Sequence, residues 1–115
     1  MEKYNKVIKL NNFEPKENAL SEKELRIQLA AAYRIFNYLK WDYLIYGHIT
    51  VRVPGPEKHF LINPFGLRYD EVTASNLVKI DLKGNIVEPS AHPVNPAGFV
   101  IHSAIHSARE DAHCV

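Results

Sequence analysis

Two histidines, His102 and His106, lie four residues apart in a segment predicted to be helical, so their rings can project from the same face. Two imidazoles at this spacing can ligate zinc. The zinc-protease pattern also requires a glutamate directly after the first histidine, and Ser103 stands there instead. The alternative is that both histidines are polar or packing residues of an amphipathic helix. We favour this alternative because a histidine pair alone is a weak motif.

Two other short segments carry groups that could bind a ligand. In residues 47–50, a glycine stands beside an imidazole and a hydroxyl, and such a loop can turn backbone N–H groups toward an anion. In residues 63–66, an asparagine and a glycine follow an apolar run, at a strand end where ligand groups are common. Spacing alone favours simpler interpretations, namely a helix stop before a strand and a strand terminator.

The remaining reactive side chains form no pattern typical of a site. Asp70 and Glu71 are adjacent, so they point apart in a helix or a strand, and we expect both to be solvated. Cys114 follows His113, but the sequence fixes no base for the thiol. We expect Cys114 to be a buried residue of a strand.

A first helix that could support these groups is predicted from about Glu22 to Lys40. Ser21 and Glu24 have the capping-box form, in which each side chain satisfies a backbone N–H of the other. Behind this cap, apolar residues recur at steps of three and four, as on one helix face: Leu25, Leu29, Ala32, Phe36 and Leu39.

Short strands are predicted after this helix. Residues 48–53 alternate as a half-buried strand does, and the apolar run 60–62 is expected to pair with them. Residues 78–82 and 86–88 flank a short glycine turn and predict a hairpin. Residues 73–76 predict a short helical turn.

A second helix is predicted from about Pro96 to Arg109, with Asn95 as its N-cap and Pro96 at its first position. Its packing stripe is expected to consist of the small and aliphatic side chains Ala97, Ile101, Ala104, Ile105 and Ala108. Residues 112–115 have the composition of a strand that is beginning. The order of elements indicates an α/β sandwich with an antiparallel sheet.

The composition fits one small globular domain. The chain has 115 residues, 46% of them hydrophobic and 23% charged, and its formal net charge is +1. This mixed charge excludes a nucleic-acid or membrane-surface patch, and the single cysteine excludes an internal disulfide. Without an apolar run of signal-peptide length we expect a cytoplasmic protein. Residues 1–20 are expected to be an N-terminal arm and residues 21–115 the domain.

Four segments together resemble the class II aldolase and adducin head-domain family, in its adducin-like branch. They are GHITVR at 47–52, FLINPFG at 60–66, TASNLVKID at 73–81, and NPAGFVIHSAIH at 95–106 with Ala108, Arg109 and Asp111. The resemblance runs from about Leu20 to Val115 with the segments in order.

The resemblance implies a three-layer α/β/α domain with a mostly antiparallel central sheet, truncated at the C-terminus, and a tendency to form homotetramers. The enzymes of the family hold zinc through histidines whose places lie beyond Val115. Zinc or another divalent metal is therefore expected in a full-length version, and none in this chain. Expected partners are a second copy of the chain, a small carbonyl substrate and, by analogy with adducin, a cytoskeletal-type protein.

The same resemblance implies a substrate-binding set of residues: Gly47, His48, Thr50, Asn63 and Gly66. It also marks departures from the aldolases. Gly98 stands where they carry a glutamate that acts as acid and base, and glycine has no group that transfers a proton. Pro96 and Ala97 replace two serines that hold phosphate, and Phe65 stands at a hydroxyl position.

Three functional hypotheses follow from the residues and the resemblance. The first is a metal-dependent class II aldolase-type lyase, in which this chain alone is inactive. The second is a non-catalytic, adducin-like assembly or protein-interaction module. The third is a fragment that has no activity of its own.

Overall fold

A computed structural model describes residues 20–115. The predicted N-terminal arm, residues 1–20, therefore lies almost entirely outside the described residues. In chain order the elements are α1 (Glu22–Tyr38), β1 (Val51–Arg52), β2 (Phe60–Ile62), β3 (Val78–Ile80) and α2 (Pro96–Ala108), with a 3-10 turn at Tyr69–Glu71. Within this part of the chain, no helix is long and apolar enough to cross a membrane.

Helix α1 begins at the predicted capping box. The Ser21 hydroxyl accepts from the Glu24 backbone N–H at 3.2 Å, and the Glu24 carboxylate accepts from the Ser21 backbone N–H at 2.8 Å. Just after the helix and its C-cap Leu39, Lys40 adopts a left-handed conformation with a φ of 60°. The Trp41 N–H donates back to the Phe36 carbonyl at 2.9 Å, and the two aromatic rings pack 5.4 Å apart. Backbone reversal and ring contact together form a Schellman-type end.

The three strands form one antiparallel sheet in the order β1-β2-β3. Val51 pairs with Leu61, and Ile62 pairs with Val78. The C-terminal residues extend this sheet beyond β1, because the Thr50 N–H donates to the Val115 carbonyl at 2.7 Å and the reverse bond is 2.9 Å. The beginning strand that the sequence predicts is therefore in place at one edge.

Strand β2 is buried on both faces and divides the core. Leu61 packs with buried residues of α1, including Leu29 and Tyr33. Phe60 and Ile62 point to the opposite face and pack with the two buried residues of β3, and Phe99 of α2 adds to that cluster. One helix therefore covers each face of the sheet, which gives three layers. This arrangement confirms the predicted fold class.

The predicted packing face of α2 is wrong. The buried residues of this helix are Gly98, His102, Ser103 and His106. The expected stripe faces outward, with Ile101 at 62% and Ile105 at 36% exposure. The physical reason is that the two imidazoles find hydrogen-bond partners beneath the helix, so the polar face can be buried without loss of hydrogen bonds.

Smaller differences concern the extent of elements. The alternating segment 48–53 contributes only two residues to β1, although backbone bonds continue the pairing at Thr50 and Val53. The predicted hairpin exists, with Ile80 bridged to Ile86, but its second strand is a single bridge. Residues 74–76 form a single turn, closed by a bond from the Leu77 N–H to the Thr73 carbonyl at 3.3 Å, as the predicted helical turn requires. Cys114 is exposed, because it lies on the outer strand of the sheet.

Candidate functional site

The hydroxyl of Thr50 lies at the centre of a buried polar cluster. Its Oγ1 atom is 2.8 Å from Nδ1 of His102 and 2.8 Å from Nε2 of His106. Thr50 has no exposed surface, and the exposed fractions of the two histidines are 8% and 1%. The two histidines therefore share one oxygen and are held apart by it.

The directions of these hydrogen bonds follow from the bond that His106 makes to the backbone. Nδ1 of His106 is 3.1 Å from the Ala112 carbonyl, which can only accept, so this nitrogen carries a proton. In a neutral His106 the Nε2 atom then accepts from the Thr50 hydroxyl. The Thr50 oxygen must in turn accept from Nδ1–H of His102. The Nε2 atom of His102 is left with a free lone pair.

Burial keeps both imidazoles neutral. Desolvation, together with the neighbouring imidazoles of His48 and His106, lowers the pKa of His102 to about 4. Desolvation is also the largest cause that lowers the pKa of His106, and the cation of Arg52 acts in the same direction. The hydrogen-bond directions deduced above require both rings to be neutral, which agrees with these lowered pKa values.

His48 lies directly over the first turn of α2. A Cβ atom built on Gly98 would come within 2.5 Å of Cδ2 and 2.6 Å of Nε2 of the His48 ring. The ring centroid is 5.8 Å from that of His102, in an edge-to-face arrangement. Burial lowers the pKa of His48. The imidazole therefore fills the space that a side chain at position 98 would occupy.

Asn63 and Gly47 meet beside this cluster, at the ends of β2 and of the loop before β1. The Asn63 amide donates to the Gly47 carbonyl at 3.4 Å, and its Oδ1 atom is 3.0 Å from the Tyr33 hydroxyl. That hydroxyl also accepts from the Ile49 N–H at 2.7 Å. Gly47 has a φ of 88°, and a Cβ atom there would lie 2.7 Å from the Tyr69 hydroxyl. Only glycine fits this approach.

The structure joins most of the predicted substrate-binding residues, with one exception. Gly47 contacts Asn63, and His48 and Thr50 both lie against His102. Gly66 forms a turn with a φ of 96°, and a Cβ atom there would have no neighbour within 4 Å. Nothing therefore crowds a side chain at position 66, and the contacts that join the other four residues do not include Gly66.

Sequence reasoning missed two residues that organise the site, Tyr33 and Arg52. Tyr33 lies four residues after Leu29, so the step of four along α1 could have placed it on the buried face. Arg52 donates to the carbonyls of His106 at 2.5 Å and Arg109 at 3.0 Å, and so satisfies the end of α2. Nothing in the sequence links these distant segments.

The cluster does not form a metal centre by itself. Among residues 20–115, no three histidine, cysteine, aspartate or glutamate side chains come together so that they could hold a metal ion. The lone pair of His102 can accept a hydrogen bond or a proton, and the ring of His48 can accept or donate one. The chemistry that these residues support is hydrogen bonding and proton transfer to a small polar molecule.

The fold and the site define an α/β sandwich with a polar cluster between the sheet and α2. The family model described as "Class II Aldolase and Adducin N-terminal domain" matches residues 27–115 of this chain. A Caulobacter vibrioides protein, provisionally named as an aldolase class 2 protein, is 55% identical over 95 residues, which are 83% of this chain and 37% of that protein. The chain therefore belongs to the class II aldolase and adducin family.

Relatives of both kinds are similar to this chain. Alpha-adducin of Rattus norvegicus is 55% identical over 96 residues, which are 82% of this chain and 13% of the adducin. The solved structure of L-fuculose 1-phosphate aldolase from Glaciozyma antarctica PI12 is 38% identical with a TM-score of 0.78, and the match covers 88% of this chain and 43% of that one. The chain spans less than half the length of each of these relatives.

Proposed function

We propose that this chain forms one wall of the substrate site of a class II aldolase-type lyase that acts on a small carbonyl compound. The observation that carries this proposal is the neutral imidazole cluster beside Gly98, where an accessible ring and a free lone pair meet. The likeness to L-fuculose 1-phosphate aldolase supports it. Gly47, His48, Thr50 and Asn63 belong to this wall.

The donors that remain near α2 favour a substrate that does not depend on a tightly held phosphate. Pro96 has no backbone N–H, and the N–H of Ala97 already donates to the Asn95 side chain at 3.1 Å. Phe65 presents no hydroxyl. We expect phosphorylated and free sugars to differ little in affinity for this reason.

A divalent metal, zinc, belongs to the same proposal for a protein of the full family length. By the family resemblance, the ligands would be histidines whose places lie beyond Val115, and among residues 20–115 no three candidate side chains come together. When bound, the metal would polarise the carbonyl group of the substrate. We also propose a homo-oligomer, a tetramer by family likeness, in the cytoplasm.

A chimera tests this proposal directly. Residues 20–115 would replace the matching part of the Caulobacter vibrioides relative, and the chimera would be assayed for zinc content and for retro-aldol cleavage. The panel is L-fuculose 1-phosphate, other phosphorylated sugars and the free sugars. We expect metal-dependent cleavage and about one zinc per chain. No cleavage of any substrate with full zinc content would contradict the lyase, and no zinc would contradict the metal.

The second candidate function is an adducin-like assembly module without catalysis. Two observations favour it: Gly98 has no group that transfers a proton, and alpha-adducin is as similar to this chain as the bacterial relative. The apolar residues Val100 and Ile101 on the outer face of α2, exposed by 56% and 62%, offer a contact surface. This candidate predicts a stable oligomer of the same chimera without any turnover.

A further inference from the structure

We propose that His48 is the residue that transfers the proton in this site, acting on a bound β-hydroxy carbonyl compound. This inference rests on the proposed lyase function. It assigns the acid and base role to a side chain of the loop before β1, although the helix position where a group of this kind is expected, Gly98, has none.

The first observation is that His48 and Gly98 fit each other. Two ring atoms of His48 would lie 2.5 and 2.6 Å from any Cβ atom at position 98, which is closer than real Cβ contacts. The His48 ring can therefore occupy this position only because residue 98 is a glycine. Since an imidazole can both accept and donate a proton near neutral pH, the ring also brings to this place the chemistry that glycine lacks.

The second observation is that His48 remains free to act. Its ring is half-buried, and within the described residues no hydrogen bond occupies either ring nitrogen. His102, its edge-to-face neighbour, is in contrast fixed by Thr50 and buried at 8% exposure. The fixed imidazole of His102 supports one side of the His48 ring, whereas the His48 ring itself is only half-buried.

The surroundings of His48 keep it neutral, as a proton acceptor must be. Burial lowers its pKa. The ring also lies at the first turn of α2, where the helix dipole disfavours a cation. The titratable neighbour in contact with the ring is the neutral imidazole of His102, and among the described residues no carboxylate contributes to the shift in the pKa of His48.

In the proposed reaction His48 carries out both proton transfers. Neutral His48 takes the proton of the β-hydroxyl group while the bond between the α and β carbons breaks. The hydroxyl oxygen becomes the carbonyl of the released aldehyde, and the electron pair of the broken bond gives an enolate. The imidazolium of His48 then returns the same proton to the enolate carbon, so no oxidant or reductant is needed.

The test compares variants of the chimera described above on the sugar that the unchanged chimera cleaves best. We expect His48→Ala to lower kcat by about 100-fold or more, the usual contribution of a general acid or base. Added imidazole should restore part of the lost rate, because the vacated space over Gly98 admits it. His92→Ala, which changes a histidine of the 89–94 loop, is the matched control and should keep full activity.

A pH profile separates proton transfer from a structural role. We expect kcat/KM of the unchanged chimera to fall on the acid side with a midpoint below the ordinary histidine value of 6.5, and this limb to be absent in His48→Gln. Full turnover of His48→Ala would overturn the inference and leave the lyase standing. An unchanged chimera that cleaves nothing would overturn the lyase and the role of His48 together.

A chemical probe applies to the 115-residue chain itself. Diethyl pyrocarbonate acylates unprotonated, accessible imidazole nitrogens, and peptide mass spectrometry locates the modified residues. We expect His48 to react at pH 6 while His106, with both nitrogens bonded and 1% exposure, stays protected. Protection of His48 under conditions that modify His92 would show that its ring is closed to ligands and would overturn the inference.

Discussion

At the scale of single residues, Thr50 has the largest structural role in the site. Among residues 20–115, it is the one donor to Nε2 of His106 and the one acceptor for Nδ1 of His102, both at 2.8 Å. A buried polar group that loses its partner costs about 1–3 kcal/mol. The hydroxyl thus stabilises two buried imidazoles at once.

Two substitutions of Thr50 therefore separate the contribution of its hydroxyl group to stability from that of its methyl group. We expect Thr50→Val to lower the free energy of unfolding by about 2 kcal/mol or more, because two ring nitrogens lose their partner. Thr50→Ser keeps the hydroxyl and should cost about 1 kcal/mol, for the lost methyl group. Urea denaturation of the three proteins measures both values. Equal losses in the two variants would contradict the hydrogen-bonded chain.

The lowered pKa of His102 predicts how stability depends on pH. In the unfolded chain His102 is protonated below its ordinary pKa of 6.5, whereas in the folded chain it is protonated only below about pH 4. The unfolded state therefore binds more protons between these two pH values, and the free energy of unfolding falls as the pH falls through this range. The full effect is about 3 kcal/mol. We expect His102→Asn to reduce the slope of unfolding free energy between pH 6.5 and 4. An unchanged slope in this variant would show that His102 titrates normally.

At the scale of elements, both helices begin where the sequence predicts, because capping is local. The Ser21 cap of α1 and the Asn95 cap of α2 use residues within three positions of each other, which can be seen in the chain. The buried face of α2 could not be predicted in this way. Its partner Thr50 is 52 residues away from His102, so hydrophobic periodicity alone selected the aliphatic face.

The end of α1 contains a correctable strain. Lys40 has a φ of 60°, a conformation that costs a residue with a Cβ atom about 1–2 kcal/mol. We expect Lys40→Gly to raise the unfolding free energy by about 1 kcal/mol, since the gain is partly offset by the entropy of glycine in the unfolded chain. Lys40→Ala, the control, should not stabilise. Thermal denaturation of both variants decides this.

The two candidate faces of α2 predict opposite results for two substitutions. Ile101 is 62% exposed, so Ile101→Glu should change the unfolding free energy by about 0.5 kcal/mol or less. Ser103 is 8% exposed, so Ser103→Glu would bury a charge and should cost several times as much. If chemical denaturation showed a larger loss of stability for Ile101→Glu than for Ser103→Glu, the buried face of α2 would be the one that the sequence predicts.

At the scale of the whole molecule, the order of sheet and helices could be predicted, together with the family. The site could be predicted only in part, because Tyr33 and Arg52 join it through contacts between distant segments. The family resemblance named Gly47, His48, Thr50 and Asn63, and the structure joins them at one site. Neither source could foresee that the ring of His48 fills the space above Gly98.

The exposed apolar surface of the 115-residue chain predicts its behaviour in solution. Large side chains that are at least half exposed include Trp41, Tyr43, Val100 and Ile101. Such surfaces drive association in water. We expect sedimentation velocity to show concentration-dependent self-association, which Ile101→Glu reduces. A monodisperse monomer at high concentration would contradict this expectation.

The most direct test of the central claim, a directed chain of neutral imidazoles around Thr50, is the long-range proton–nitrogen NMR spectrum of the 15N-labelled histidine rings at pH 7. The structure predicts that His102 and His106 are both neutral and both carry their proton on Nδ1. Cross-peaks in which Nδ1 has the protonated shift and Nε2 the unprotonated one would agree. A proton on Nε2 of either ring, or a charged ring, would contradict the hydrogen-bond order on which the site is built.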